Sequence, residues 1–416
     1  MPPLPYVFKE IPNYRTLGRG IKVNRGAPRA WRGPNHPQSA AITMCALDDA
    51  AHAVGMDALS FFKKNLHLTD RPEVYAEELD KAAEMIDWKA KWHPRGDKAD
   101  GPKRRGLGIS IHTWGGAGGN SECAVTINPD GSVVGRSGTQ DLGTGTRTVS
   151  AIVLSDTLGL SVNQVRVEIG KNSLPASGAS GGSTTVGGVS ASTRDAATQA
   201  LNALLAKVAP ELGVDADKLE AWDGKIQEIG NPSKSMSWNE ACALLGGMSI
   251  TKQGSKDTSD GTVLTVAGVG GVGIADVTVD IETGVVTMNE YAAVQDCGLI
   301  IDEKTCESQM YGGTIMGITY ALYEETVYDP LTGTMLNADF EAYRLAGLAD
   351  VGEIKVHLMR GPKYEDVGVT GIGEPAVISQ GAAISNAVTN AIGVRVPELP
   401  LTPDRVLDAI SKGGVA

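Results

Sequence analysis

The chain has 416 residues, 42% hydrophobic and 21% charged, enough apolar side chain for a large core in more than one packed unit. Its 37 Lys and Arg against 49 Asp and Glu leave a net charge of −12, which argues against nucleic acid and anionic membranes as partners. The five cysteines are odd in number and form no CxxC pair, which argues against a disulfide framework and against a cysteine-ligated zinc or iron–sulfur site.

The opening MPPLPYVFKEIPNYRTLGRG lacks the apolar core of a signal peptide, and no run has the roughly 18 uninterrupted apolar residues of a membrane span. The cytoplasm is the expected compartment; a complex exported to the periplasm by a signal-bearing partner would look the same.

After a Pro/Arg-rich start, a helix is expected near Pro37 to Val54, followed by polar helical segments at Asp57 to Leu66 and Pro72 to Trp92. The charged stretch from His93 to Gly106 reads as a linker. The runs GLGISIHTWG and SECAVTINPDGSVVGRSGTQ alternate apolar and polar residues about the turn sequence Asn128-Pro129-Asp130-Gly131. Together they predict a β-hairpin, with a helix from Arg147 to Thr157. Ser192 to Asp195 has the form of a capping box opening a helix from about Ser190 to Val208. A smaller strand and helix module runs up to Gly247. The hairpin order then recurs in GIADVTVDIETGVVTMNEYAAVQD, with a helix from Glu303 to about Tyr323 and a last, buried helix from Ile378 to about Ile392. The repeated unit predicts an α+β fold with two related halves.

Glycine is over-used, 52 residues where an average of about 7% would give roughly 29, and it clusters rather than repeats. Gly268 to Gly273 matches GxGxxG after the strand-like TVLTVA, but the alternating IADVTVDI follows where a dinucleotide site needs a helix. Gly178 to Gly182 matches GxSxG, yet no strand precedes it and no histidine follows until His357. The six histidines show no HxH or HExxH spacing, so no protein-ligated metal is expected; His36, in a loop beside Arg32, is the one worth following.

Three features remain. Gln140 to Thr146 (QDLGTGT) and Gly181-Gly182-Ser183-Thr184-Thr185 each precede a helix, where backbone N–H groups and hydroxyls suit a phosphate or a polar heterocycle. Glu374 sits in Gly371-Ile372-Gly373-Glu374-Pro375, a carboxylate held between glycine and proline as a fixed general base would be.

Over nearly its whole length the sequence resembles the C-terminal portion of the molybdopterin-binding large subunit of the xanthine dehydrogenase and aldehyde oxidase family. Gly371 to Pro375 is similar to the segment carrying that family's catalytic glutamate, and Ala30 to Gln38 to its arginine-glycine loop beside the molybdenum. Asp141 to Gly145 looks like the pterin loop, with Thr144 where many members have Gln. Gly181 to Thr185 resembles the loop on the cofactor's far side, and Gln309 matches a glutamine near the pterin. The resemblance implies Glu374 as general base and Arg32 as stabiliser of negative charge. It implies Gly143, Thr144, Gly145, Gly181, Gly182, Ser183, Thr184, Gln309 and Gly373 at the cofactor, and no side-chain ligand to the metal.

It further implies residues 1–105 as the end of a first molybdopterin-binding domain plus linker. Residues 106–416 would form a second domain with two halves and an insert near 210–260. The implied activity is oxidative hydroxylation of an aldehyde or an N-heteroaromatic carbon, with water as oxygen source. The implied cofactor is a molybdenum–pterin, as molybdopterin or its dinucleotide, with iron–sulfur clusters and FAD expected on partner subunits. Carbon monoxide dehydrogenase is disfavoured, because its arginine loop carries a cysteine absent here between Arg32 and Gln38. Family subunits are longer, so a second polypeptide is expected to supply the missing N-terminal half. A truncated copy is the competing explanation for the missing half, and the alternative function is a non-catalytic scaffold or assembly subunit of such a complex.

Overall fold

The computed structural model describes residues 4–116, 118–256 and 268–413. Helices α1 (His36–Ala53), α2 (Ala58–Lys64), α3 (Pro72–Ile86) and α4 (Trp88–Lys91) precede strand β1 (Lys103–Trp114). Strands β2 (Ser121–Ile127) and β3 (Val133–Ser137), helix α5 (Thr146–Thr157), strand β4 (Val165–Ile169) and the long helix α6 (Thr185–Leu212) follow. A small module holds β5 (Leu219–Trp222), β6 (Lys225–Glu228), β7 (Asn231–Ser237) and α7 (Trp238–Ala243), and β8 (Ile250–Lys256) comes after it. The last run is β9 (Val269–Asp280), β10 (Val286–Gln295), α8 (Glu303–Leu322), β11 (Glu353–Leu358), α9 (Pro362–Glu365), α10 (Gln380–Ile392) and α11 (Pro403–Ser411).

Two four-stranded sheets, β1-β9-β10-β11 and β4-β3-β2-β8, are each built on the same unit. Strands β2 and β3 pair antiparallel, and α5 carries the chain to β4, which lies parallel to β3. In the same way β9 and β10 pair antiparallel, and α8 leads by way of a long loop to β11, parallel to β10. A parallel neighbour requires such a crossover, because a tight turn can only reverse the chain.

The outer strand of each sheet is exchanged between the units. Strand β1 directly precedes the first unit but pairs antiparallel with β9, while β8 pairs antiparallel with β2. This corrects two expectations: β1 is not an arm of the first hairpin, and β8 does not belong to the small insert. The reason lies in packing, since β1 is buried on both sides and must be covered on both. Ile109 and Ile111 face the core shared with α1, α2 and α3. On its other side α10 comes so close that a Cβ at Gly108 would lie 2.2 Å from the Ala383 carbonyl.

Strand β9 shows the same two-sidedness by alternation. Val272 and Ile274 face the core that includes Leu79 and Phe62, whereas Ala275, Val277 and Val279 face the one beneath α8, α10 and α11. A third core lies between the β2–β3 sheet, α5 and α6.

Three boundaries also differ from the pattern. The helix expected across Pro72 to Trp92 breaks at Asp87, whose left-handed backbone (φ 55°) caps α3. The segment expected as a linker packs along α10 instead, with Gly96 N–H donating to the Asn390 carbonyl at 2.8 Å. Ser192 is no cap but a mid-helix residue whose hydroxyl donates back to the Val189 carbonyl at 3.2 Å, because α6 starts at Thr185. Its first turn is held there by packing: Gly188 meets the chain at Gly119 so closely that no Cβ would fit. The GxGxxG segment lies at the head of β9, paired along β1 from Trp114↔Val269 onward, and makes no turn into a helix. TVLTVA before it falls outside the described residues.

Candidate active site

A cavity of about 430 Å³ opens where the ends of these elements converge, a size ordinary for a cofactor or small-ligand site. Arg32, Thr144, Gly181, Ser183, Gln309, Gly373 and Glu374 all line it. These residues come from five separate stretches of sequence.

Arg32 joins three of the stretches. Its Nε donates to the Gly373 carbonyl at 2.5 Å and its Nη2 to the Gln309 carbonyl at 3.1 Å, with Gln309 Oε1 at 3.4 Å. Gln309 Nε2 in turn reaches the Gly143 carbonyl at 3.5 Å. A planar fork with several fixed donors can bridge two loops in this way, whereas the single ammonium of lysine cannot hold the same geometry.

Glu374 caps a single 3₁₀ turn, Pro375–Val377, ahead of α10. Its own N–H donates to Ser183 Oγ at 2.9 Å. Its Oε2 is buried without a hydrogen-bond partner among the described residues. Burial therefore pushes the carboxyl above the ordinary glutamate range, against the backbone N–H groups of Gly33 and Gly182, the Arg32 charge and the Ser183 hydroxyl. A buried acceptor without a partner is costly unless a ligand or a proton completes it.

The loop before α6 is wound tightly. Gly182 and Ser183 both take positive φ, 65° and 61°, unusual for a serine and the kind of local strain found at binding sites. Gly371 passes so close that a Cβ there would sit 1.9 Å from the Ser183 carbonyl. Gly371→Ala is thus expected to part the Glu374 segment from the Ser183 loop. The chain should then fold with near-normal circular dichroism but bind a ligand of this cavity at least tenfold more weakly, about 1.4 kcal/mol or more; undiminished binding would contradict this.

His36 lies outside this cavity lining but behind the same loop. It opens α1, with Nδ1 2.8 Å from the Tyr6 hydroxyl and 3.0 Å from the Thr113 carbonyl, and burial holds its pKa down to about 4. Its ring packs 4.4 Å from Trp114, whose indole N–H donates to the Gly182 carbonyl at 2.9 Å. Trp114 was not foreseen as part of the site, and nothing local in β1 singles it out. Ser180, the serine of the GxSxG match, is tied by its hydroxyl to the Gln140 carbonyl at 3.1 Å.

The loop at 140–146 departs from expectation. Its backbone donors do not face the cavity: Asp141 Oδ1 accepts from Gly143, Thr144 and Gly145 at 3.0, 3.0 and 3.2 Å, and Oδ2 accepts from Arg147 at 3.1 Å. The chain thus supplies its own anion to the start of α5, and Leu142, Thr144 and Thr146 are the residues of this loop that line the cavity. An Asp two residues before a glycine is a local signal for such a turn that sequence reasoning passed over. Burial opposes ionisation of Asp141, but the four N–H groups hold its pKa below the usual range. Its contribution is therefore full above the unfolded carboxylate pKa of about 3.9 and fades as pH falls through the lower folded value. Asp141→Ala should cost about 0.5–2 kcal/mol in urea unfolding at neutral pH, the range for a lost helix cap. A cost that persisted unchanged into strong acid would contradict the ionised cap.

Models of the molybdopterin cofactor-binding domain match residues 5–66 and 81–352. The chain belongs to this family. Among its curated relatives, the aldehyde oxidoreductase molybdenum-binding subunit of Escherichia coli O157:H7 is 29% identical over 92% of this chain and 52% of its own length. The xanthine dehydrogenase molybdenum-binding subunit of the same organism is 27% identical over 97% of this chain and 56% of its own. The solved quinoline 2-oxidoreductase of Pseudomonas putida 86 shares the fold with a TM-score of 0.79 at 21% identity, over 92% of this chain and 53% of that one. The chain spans about half the length of these relatives.

The chain offers a fitting site for such a cofactor: a partly polar cavity of sufficient volume, lined by Gly181, Gly371 and Gly373 of its glycine-rich loops, with one buried carboxylate oxygen left without a partner. Among the described residues no group of three or more His, Cys, Asp or Glu is placed to hold a metal ion, and no helix is long and apolar enough to cross a membrane.

Proposed function

We propose that this chain is part of the large subunit of a molybdenum hydroxylase, its C-terminal portion, acting on an aldehyde or an N-heteroaromatic carbon with water as the oxygen source. The observation that carries the reading is Glu374, a carboxylate of raised pKa with one buried, unpartnered oxygen, in the wall of a cavity that Arg32 and Gln309 also line.

When bound, the molybdenum–pterin cofactor supplies the centre that takes two electrons from the substrate carbon. Glu374 acts as general base, its carboxylate accepting a proton from the attacking oxygen. Arg32 holds positive charge beside that carboxylate and fastens Gly373 to Gln309, so the base keeps its aim as the site changes charge. Ser183, through the Glu374 N–H, fixes the backbone from the other side. The loops at Gly143 to Gly145 and Gly181 to Thr184, with Gln309 and Gly373, form the cradle for the pterin, chiefly through side chains and carbonyls in the first loop.

We assign residues 1–105 to the end of the first domain and the remainder to the second, with the α1–α3 helices sharing a core with the second domain's sheet. The proposed partners are a polypeptide supplying the rest of the large subunit and an iron–sulfur subunit, with FAD on a further chain. An exposed arm supports the first of these. Tyr14, Leu17 and Ile21 stand in solvent, and Asn24 joins the arm to an equally apolar loop by donating to the Leu331 carbonyl at 2.7 Å. The cytoplasm is the proposed compartment.

The scaffold reading draws on one observation, the Asp141 carboxylate occupying the donors of the first loop. Metal analysis of the native complex, with co-purifying chains identified by mass, separates the two. The enzyme reading expects close to one molybdenum and one pterin per chain; a complete complex without molybdenum would overturn it.

A further inference from the structure

Two cysteines face each other in the wall of the cavity. Cys297 follows β10 and Cys306 lies in the first turn of α8, and their sulfurs are 3.6 Å apart. Both line the cavity, as do Leu299, Ile300, Ile301, Asp302 and Thr305 between them, so the pair brackets one continuous wall. Both thiols are free; Cys297 is 3% exposed, while Cys306 is only partly covered.

Each cysteine is anchored to a part of the site. The Cys297 carbonyl accepts from Thr370 N–H at 3.3 Å and Leu299 N–H donates to the Gly368 carbonyl at 2.9 Å, which ties this end to the segment leading into Glu374. Cys306 lies one helical turn before Gln309, the residue gripped by Arg32.

We propose that Cys297 and Cys306 are a reversible redox pair that closes as a disulfide across this wall when a small-molecule disulfide oxidant reaches it. The Cys306 thiolate, the more accessible, attacks the oxidant's S–S bond and releases one thiolate, leaving a mixed disulfide on Cys306. The Cys297 sulfur then attacks the Cys306 sulfur and releases the second thiolate. One S–S bond is broken and one formed, two electrons pass from the protein thiols to the oxidant, and the two thiol protons end on the oxidant's two released thiols. The sulfurs must approach by only about 1.6 Å to reach disulfide distance. The contact with Cys306, together with burial, holds the Cys297 thiol well above its ordinary pKa, so Cys297 is expected to react second. Closure would lock the start of α8 to the strand that leads away from β10, fixing the spacing between Gln309 and the Glu374 segment.

The test is to treat the full chain with oxidised glutathione, denature it, alkylate the remaining thiols and digest with trypsin. Lys304 lies between the two cysteines, so they leave on separate peptides unless a disulfide joins them. The expected result is a fall from five alkylatable cysteines to three, with those two peptides joined and dithiothreitol restoring all five. Cys306→Ser should keep every remaining thiol alkylatable, and Cys297→Ser should retain glutathione on Cys306. A count that stays at five, a different pairing, or glutathione left on Cys306 of the unsubstituted chain would each overturn the proposal. The readout needs neither cofactor nor partner, so it stands or falls apart from the enzymatic reading.

Discussion

Glu374→Gln in the assembled complex is expected to lower turnover by about 10²- to 10⁴-fold, the usual worth of general-base catalysis, with cofactor content unchanged. The amide keeps the size of the carboxylate and the backbone N–H that donates to Ser183 Oγ, so the cradle should survive. What disappears is the carboxylate that accepts the proton. Since burial raises the Glu374 pKa, the base is empty of its proton only at pH above the ordinary glutamate range. Activity should therefore rise with pH through that raised value, and this limb should vanish in the variant. The raised pKa has the opposite sign for folding: the protonated form suits the folded state, so its contribution is present at low pH and lost as pH climbs through the folded pKa. The glutamine is neutral at every pH, and its unfolding midpoint should match or exceed that of the unsubstituted chain near pH 7. Near-normal turnover in a molybdenum-replete variant would remove Glu374 from the mechanism.

The largest stability effect is expected at Arg71. Its guanidinium meets both oxygens of Asp296, with both side chains less than a tenth exposed, and Asp296 also accepts from Gly270 N–H. Beside them Glu78 is fully buried with neither oxygen hydrogen-bonded, and burial, reinforced by the Asp296 charge, raises its pKa well above the ordinary glutamate value. Arg71→Met leaves the Asp296 carboxylate buried and unpaired, a change worth about 3–5 kcal/mol when one partner of a buried pair is removed. Urea unfolding at pH 7 should show that loss, and Arg71→Met with Asp296→Asn should recover part of it, because the second change removes the stranded charge. A single-variant loss below about 1 kcal/mol would mean that Asp296 is far better solvated than its burial indicates.

The two predictions draw on different kinds of information. Glu374 could be singled out because glycine and proline around a lone acid are a local signal, and because its loop resembles one in a known family. The Arg71 cluster was not readable, since its members are 225 residues apart and each is an ordinary charged residue by itself. Local signals also located the β2–β3 and β9–β10 hairpins, whose turns carry Asp-Gly and Thr-Gly, and helices α5 and α8. Where the sequence misled, packing overrode a local preference: the capping box at Ser192 lost to the close approach of Gly188 and Gly119, which extends α6 back to the cavity.

By itself the sequence determined most of the elements, the repeated unit and the family, because periodicity, turn chemistry and loop motifs act over a few residues. The tertiary structure alone decided that β1 and β8 exchange sheets, that Arg32 spans 277 residues to Gln309 and 341 to Gly373, and that two unremarkable cysteines face each other. It also decided that Asp141 takes the loop donors for itself. Such pairings depend on which buried surfaces can be covered at once, a property of the packed chain that no short window of sequence records.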